Sequence, residues 1–204
     1  MQEHDFVRIS YSGKIKETGQ ALDSNENVPV VIGANWVIKG VDEALREMNV
    51  GEKRTVEIPS EKAFGERNPD FIKLVPENEF KKHGTTPYPG MTINADNLVG
   101  RVLTVSGGRV RVDFNHPLAG KALVYNIEVQ QKIENIEDKI KAIAEFYLRA
   151  KPENIKIKIH EKELELETSH MMNVLYKKKI ADDVMNFLKF ERVKFSEIFE
   201  KIKE

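Results

Sequence analysis

The chain predicts an α+β fold built from several small sheets, on three observations. Short apolar runs of period 2 dominate, 3.6-residue periodicity is confined to a few segments, and proline and glycine fall in blocks that separate them. In residues 5–15, Val7, Ile9 and Tyr11 alternate with Arg8 and Ser10, as in a half-buried strand. Residues 28–32 read as a short apolar strand, 41–48 as a short helix and 53–58 as another alternating strand. Together they make a small sheet with one helix packed on it.

From about 70 to 115 the texture changes, with Pro76, Gly84, Pro87, Pro89 and Gly90 close together. A hairpin follows, in which 101–105 and 109–112 flank Ser106-Gly107-Gly108, where glycine supplies the positive φ of a tight turn. Residues 118–129 then read as a strand returning to the first sheet, so the second sheet looks like an insertion. Beyond about 133 comes a third unit. Ile136, Ile140, Ile143, Ala144 and Tyr147 share a helical face that Pro152 ends. Ile155, Ile157 and Ile159 alternate with lysines, and Leu164 and Leu166 with glutamates. Reversal at Glu161-Lys162 sets Ile159 opposite Leu164, Lys158 opposite Glu165, Ile157 opposite Leu166 and Lys156 opposite Glu167. Ser169 is placed to cap a helix carrying Tyr176, Ile180, Val184 and Phe187 on one face, and Ser196 to cap a last short helix.

Composition excludes several classes of function. The 204 residues carry 32 basic and 33 acidic side chains, which favours neither a nucleic acid nor a membrane surface as partner. Cysteine is absent, which removes disulfides, thiolate catalysis and cysteine-ligated zinc. With no basic region followed by a long apolar core at the N-terminus, a cytoplasmic protein is expected. The five histidines are scattered without metal-site spacing, so no metal and no cofactor is expected. No phosphate loop or nucleophile elbow is present.

What remains is a string of short motifs in a fixed order. Tyr11-Ser12-Gly13, Leu22-Asp23-Ser24, Ile32-Gly33, Val37-Ile38-Lys39-Gly40, Gly51-Glu52 and Ala63-Phe64-Gly65 are followed by residues 115–121, Asn-His-Pro-Leu-Ala-Gly-Lys, and then Leu123-Val124-Tyr125. Singly, each has an ordinary reading: Tyr11 as a core aromatic, Asp23 as a turn former, Val37, Ile38 and Val41 as core aliphatics. In this order they resemble an FKBP-type peptidyl-prolyl cis-trans isomerase of the SlyD-like branch, and the whole layout is similar to a long-type archaeal FKBP.

That resemblance implies an FKBP-like twisted antiparallel sheet wrapped on a short helix, with an inserted small mostly-β domain and a C-terminal α+β domain. The divisions expected are 1–70 and 115–132 for the isomerase domain, 71–114 for an insert-in-flap chaperone domain, and 133–204 for the extension. It implies catalytic roles for Tyr11, Asp23, Ile38, Phe64 and Tyr125, and substrate binding by Leu22, Val30, Trp36, Val37 and Val41, with Trp36 at the rim. The Ile38 N–H and the Tyr11 hydroxyl would hold substrate carbonyls, and Asp23 would orient the polar edge. Two positions depart from the family: Val41 stands where many members have a deep tryptophan, and Phe64 where the flap tyrosine is usual. Both simplify the pocket.

The insert is rich in apolar residues for about 45 positions, among them Phe71, Ile72, Leu74, Val75, Phe80, Met91, Ile93 and Leu98. They can hold extended clients, or they can simply build the small domain's core. The partners implied are unfolded or partly folded proteins with X-Pro bonds. A binding-only holdase with little isomerase activity is the alternative function. Dimerisation or client clamping is the role expected of the C-terminal extension, whose motifs match no site.

Overall fold

The fold was obtained as a computed structural model, which describes residues 1–95, 98–148, 155–168 and 172–198. The chain begins with β1 (Phe6–Ile15) and β2 (Ala21–Val31), then helix α1 (Lys39–Glu47) and β3 (Lys53–Ile58). There follow β4 (Ile72–Pro76), α2 (Glu77–Lys82), β5 (Thr92–Ala95), β6 (Leu98–Ser106) and β7 (Arg109–Asp113). Strand β8 (Leu123–Ile133) leads into α3 (Ile136–Leu148), β9 (Ile155–His160), β10 (Glu163–Thr168), α4 (Val174–Leu188) and β11 (Arg192–Glu197).

These strands form three sheets, ordered β2-β1-β8-β3, β4-β7-β6-β5 and β11-β10-β9. The fold is the α+β arrangement expected. Strand β8 enters the first sheet between β1 and β3, so everything from β4 to β7 lies between two strands of one sheet and pairs only within its own. The second strand is longer than 28–32, and the returning strand runs 123–133 rather than 118–129.

The alternation of side chains along the first sheet has a second use. Val7, Ile9, Val30 and Ile32 face α1 and join a core with Val41, Leu45, Met48, Ile58 and Ile127. Their neighbours Phe6 and Val31, with Ile133, point the other way, into a core completed by Ile140 and Ile143 of α3, Leu164 and Leu166 of β10, and Ile180 and Val184 of α4. The C-terminal helices therefore share a hydrophobic core with the first sheet. An ion pair between Arg8 and Glu145 at 2.7 Å adds to the junction.

The C-terminal hairpin has the register that alternation demands, with Ile159 opposite Leu164 and Ile157 opposite Leu166. Its charge ladder differs in one respect. Both Lys156 and Lys158 bind Glu167, at 3.0 and 2.9 Å, while Glu165 turns to Lys194 and Ser196 of β11. Ser196 accordingly caps no helix: residues 192–197 form a strand parallel to β10, reached through α4. This strand fills the open edge of β10, and its Val193 and Phe195 pack against the shared core; the span of the last short helix expected after Ser196 lies mostly in 199–204, outside the described residues. The caps expected at Ser169 and the stop at Pro152 lie outside the described residues. Asn173 caps α4, accepting from the Leu175 N–H at 2.8 Å.

Candidate active site

Strand register sets the polar side of the site. Tyr11 pairs with Asn25 across a bulge between β1 and β2, and Gly13 pairs with Tyr125 across β1 and β8. A bulge re-aims side chains without breaking the sheet. Here it brings the Asn25 amide to the Tyr11 oxygen, donating at 2.9 Å. The Tyr11 and Tyr125 rings lie 5.9 Å apart, tilted by 50°.

Tyr125 donates its hydroxyl proton to Asp23 Oδ1 at 3.1 Å. Burial first, and then the Asp23 charge, push its phenol well above the usual tyrosine value. Tyr11 is pushed up too, chiefly by burial, with the Asp23 charge adding and the Asn25 bond opposing. Both phenols therefore stay protonated at neutral pH and act as hydrogen-bond donors. The ring of Tyr125 can lie against β1 only because residue 13 is glycine. A Cβ there would stand 2.6 Å from Tyr125 Cε1 and Cζ.

The apolar side comes from three connections. Tyr11, Leu22, Val37, Ile38 and Phe64 are half-buried and pack against the α1-side core, as Val56, Ala63 and Leu118 do. Ile38 is the N-cap residue of α1, and no side chain caps it. Among the described residues its N–H has no protein acceptor, as is usual for the first donors of a helix. Gly40, two residues on, lets α1 approach β3, since a Cβ would meet Ile58 Cγ2 at 2.4 Å. Phe64 stacks on His116 with ring centroids 4.3 Å apart. The two strands of chain that lead to the insert are clasped beside this stack. Asn68 N–H donates to Asn115 Oδ1 and Asn115 Nδ2 donates to the Asn68 carbonyl, both at 2.9 Å, and Gly120 N–H donates to the Gly65 carbonyl at 2.8 Å.

The structure thus brings Tyr11, Leu22, Asp23, Val37, Ile38, Phe64 and Tyr125 to one side of the first sheet. Val30 and Val41 belong to the packed core and support that surface from behind. Trp36 is not brought there. It packs with the C-terminal helices, its ring flat on Phe146 at 4.0 Å, so the residue expected at the rim is an anchor to a different core. Sequence reasoning missed the roles of Asn25 and His116. Asn25 sits beside the quoted Leu-Asp-Ser motif and His116 inside the quoted 115–121 run, but their contacts depend on a bulge and on the fold-back of two distant linkers.

In the insert, Phe80 is buried with Val102, Val110 and Val112, and Val75, Met91 and Ile93 pack on that cluster. A cleft of about 500 Å³ is lined by Val75, Phe80, Met91 and Ile93 beside the edge strand β5. Phe71, Leu74 and Leu98 are 48, 61 and 51% exposed. The apolar residues of the insert therefore divide into a small core and an exposed set. Among the described residues no group of His, Asp or Glu gathers as metal ligands, and no helix is long and apolar enough to cross a membrane.

Comparison with known proteins identifies the family. A short-type peptidyl-prolyl cis-trans isomerase of Methanocaldococcus jannaschii is 32% identical over 145 residues, covering 64% of this chain and 92% of that protein. The chain belongs to the FKBP-type peptidyl-prolyl cis-trans isomerases. The SlyD isomerase of Helicobacter pylori is 31% identical over 155 residues, covering 70% of this chain and 83% of its own length. That of Vibrio cholerae is 36% identical over 146 residues, 69 and 72% of the two chains. The family described as FKBP26, IF domain, matches residues 73–118. This FKBP is therefore of the SlyD-like kind, with an insert between β3 and β8.

Proposed function

We propose that this FKBP isomerises X-Pro bonds on the surface formed by Tyr11, Leu22, Val37, Ile38, Phe64 and Tyr125, and that its insert captures unfolded clients for that site. In this division residues 1–70 and 115–132 carry the chemistry, 71–114 hold clients, and 133–204 form the extension.

The observation that carries the isomerase reading is the convergence of an apolar surface with two protonated phenols and an unpaired N–H. The prolyl bond resists rotation by about 18–20 kcal/mol because its planar form is resonance-stabilised. Resonance separates charge between oxygen and nitrogen. A dry wall of Val37, Ile38, Phe64 and Leu22 disfavours that polar planar form relative to the twisted one. In this reading the Ile38 N–H and the Tyr11 hydroxyl hold substrate carbonyls, while the Tyr125–Asp23 bond orients the polar edge. A ten-thousandfold acceleration asks for about 5.5 kcal/mol of differential stabilisation. No acid, base or covalent step is needed. A protease-coupled assay on a short X-Pro peptide tests this: catalysis above the uncatalysed rate is expected, and none would leave only the holdase reading.

The chaperone reading rests on Leu74 and Leu98, which stand exposed on the sheet that also carries the β5-side cleft, and on Phe71, exposed just before β4. Edge strands accept extended peptides by strand addition, with side-chain clefts providing grip. Replacing these three residues by serine should leave the melting temperature and short-peptide catalysis unchanged, because the side chains are exposed. Suppression of client aggregation and the refolding rate of a proline-limited protein should both fall. Unaltered suppression would show that the exposed set holds nothing.

A further inference from the structure

Residues 33–38 connect β2 to α1 and divide their side chains between two cores. Val37 and Ile38 join the core behind the candidate active site, whereas Ala34 and Trp36 pack into the core of the C-terminal helices. Trp36 is gripped from three directions. Its ring lies flat on Phe146 of α3, with centroids 4.0 Å apart and planes 5° from parallel. Tyr147 meets it edge-on at 5.9 Å. Its indole N–H donates to Asp183 Oδ2 of α4 at 3.1 Å, and the Tyr147 hydroxyl donates to the same oxygen at 2.6 Å.

The rest of the connection has few constraints of its own. It belongs to no helix or strand, and it passes through positive φ at Gly33 and Asn35. Its start is tied by the Gly33 N–H, which donates to Asp42 Oδ1 at 2.7 Å. Its end is fixed where Ile38 opens α1. Between those points the Ala34 N–H donates to the Val31 carbonyl at 3.2 Å, and the indole is the largest side chain holding the connection. Two hydrogen bonds to one carboxylate oxygen of α4, one from the indole itself and one from Tyr147 of α3, leave that indole little rotational freedom.

We propose that Asp183 is a positioning residue for the isomerase reaction: through Trp36 it sets the path of Val37 and Ile38, so that α3 and α4 form part of the active-site scaffold. This rests on the reading that Val37 and Ile38 line the substrate site. The extension then has a role within each single chain. Loss of the carboxylate lets the indole turn and the adjacent residues drift. Misplacement by 1 Å can cost about 100-fold in rate, so a partial drift should cost about 5- to 20-fold.

The test uses the full chain. Trp36 is the single tryptophan, so its emission reports on this junction alone. Asp183→Ala should shift that emission to the red and lower kcat/KM on an X-Pro peptide by about 5- to 20-fold. Asp183→Asn, which keeps an acceptor oxygen, should restore most of the rate. Glu145→Gln breaks the Arg8 ion pair at the same junction but away from the connection. It should leave kcat/KM within about twofold even if the melting temperature drops. Val37→Ala checks the underlying reading and should be impaired. Equal losses in Asp183→Ala and Glu145→Gln would overturn the proposal in favour of general loosening. So would an Asp183→Ala rate within twofold of wild type while Val37→Ala is impaired. An unimpaired Val37→Ala would instead overturn the site reading itself. Should Asp183→Ala fail to fold, Tyr147→Phe removes the second donor to the same oxygen and is judged by the same criteria.

Discussion

Gly13→Ala should injure the active site from beneath, and the structure allows the size of the effect to be worked out. Gly13 faces Tyr125 across β1 and β8. A Cβ at residue 13 would lie 2.6 Å from two carbons of the Tyr125 ring and 3.0 Å from Asp23 Oδ1. Unstrained carbon contacts lie at about 3.5–4.0 Å, so the ring must retreat by about 1 Å. The backbone raises no objection, because Gly13 is not among the positive-φ residues. Alanine would even gain about 0.4–1 kcal/mol by stiffening the unfolded chain. Against this, overpacking costs about 1–3 kcal/mol. Loss of the Tyr125–Asp23 hydrogen bond costs about 1 kcal/mol, near the low end because Asp23 is exposed. Overpacking wins, for a net destabilisation of about 1–3 kcal/mol, or roughly 2–12 °C in a chain of this size.

Activity should suffer more than stability, since the ring moves toward the proposed substrate surface. A fall of about tenfold in kcat/KM is expected. Thermal unfolding and the peptide assay measure the two effects. In a Tyr125→Phe background the stability cost of Gly13→Ala should shrink by the hydrogen-bond share. A Gly13→Ala protein with wild-type melting temperature and rate would refute the reasoning, because the ring could not then lie against the β1 backbone.

Two further outcomes are expected. Lys158 and then Lys156 hold the Glu167 carboxyl below its ordinary value of 4.5. A value lowered in the folded state contributes stability that is complete above the ordinary carboxylate range and is lost as pH falls through the folded value. Glu167→Gln should therefore melt below wild type at pH 7, with the gap closing in scans below about pH 4.5, whereas a pH-independent gap would count against the ion pairs. Ile143 is wholly buried in the core shared by α3, α4 and the first sheet. Ile143→Ala should cost about 2–5 kcal/mol in thermal unfolding, and a loss under 1 kcal/mol would mean that the helices pack loosely on the sheet.

Much of this protein was legible without coordinates wherever local patterning and tertiary environment agree. Residues 53–58 form the strand their alternation implies. The hairpin of 155–168 takes its register from apolar residues facing apolar ones and lysines facing glutamates, because a one-residue slip would expose every isoleucine and leucine. The order of the short motifs was enough to indicate the family and to point to most of the residues that converge on one surface. Legibility failed where a residue's role depends on a segment far away in the chain. Asn25 reaches Tyr11 only through a bulge, and His116 stacks on Phe64 only because two linkers fold back side by side. Ser196 looked like a helix start because an N-cap signal is local, whereas the open edge of β10 that recruits it is not.

What the sequence by itself determined is the set of strands and helices with strong periodicity, together with the family. Period and spacing are properties of consecutive residues, and they survive whatever the rest of the chain does. Tertiary structure alone decided which face each residue serves. Along 36–38 the consecutive residues Trp, Val and Ile all read as apolar lining. Yet Val37 and Ile38 turn to the isomerase core, while Trp36 turns to Phe146, Tyr147 and Asp183. The physical reason is that one connection runs between two cores, and only packing decides which of them takes the indole.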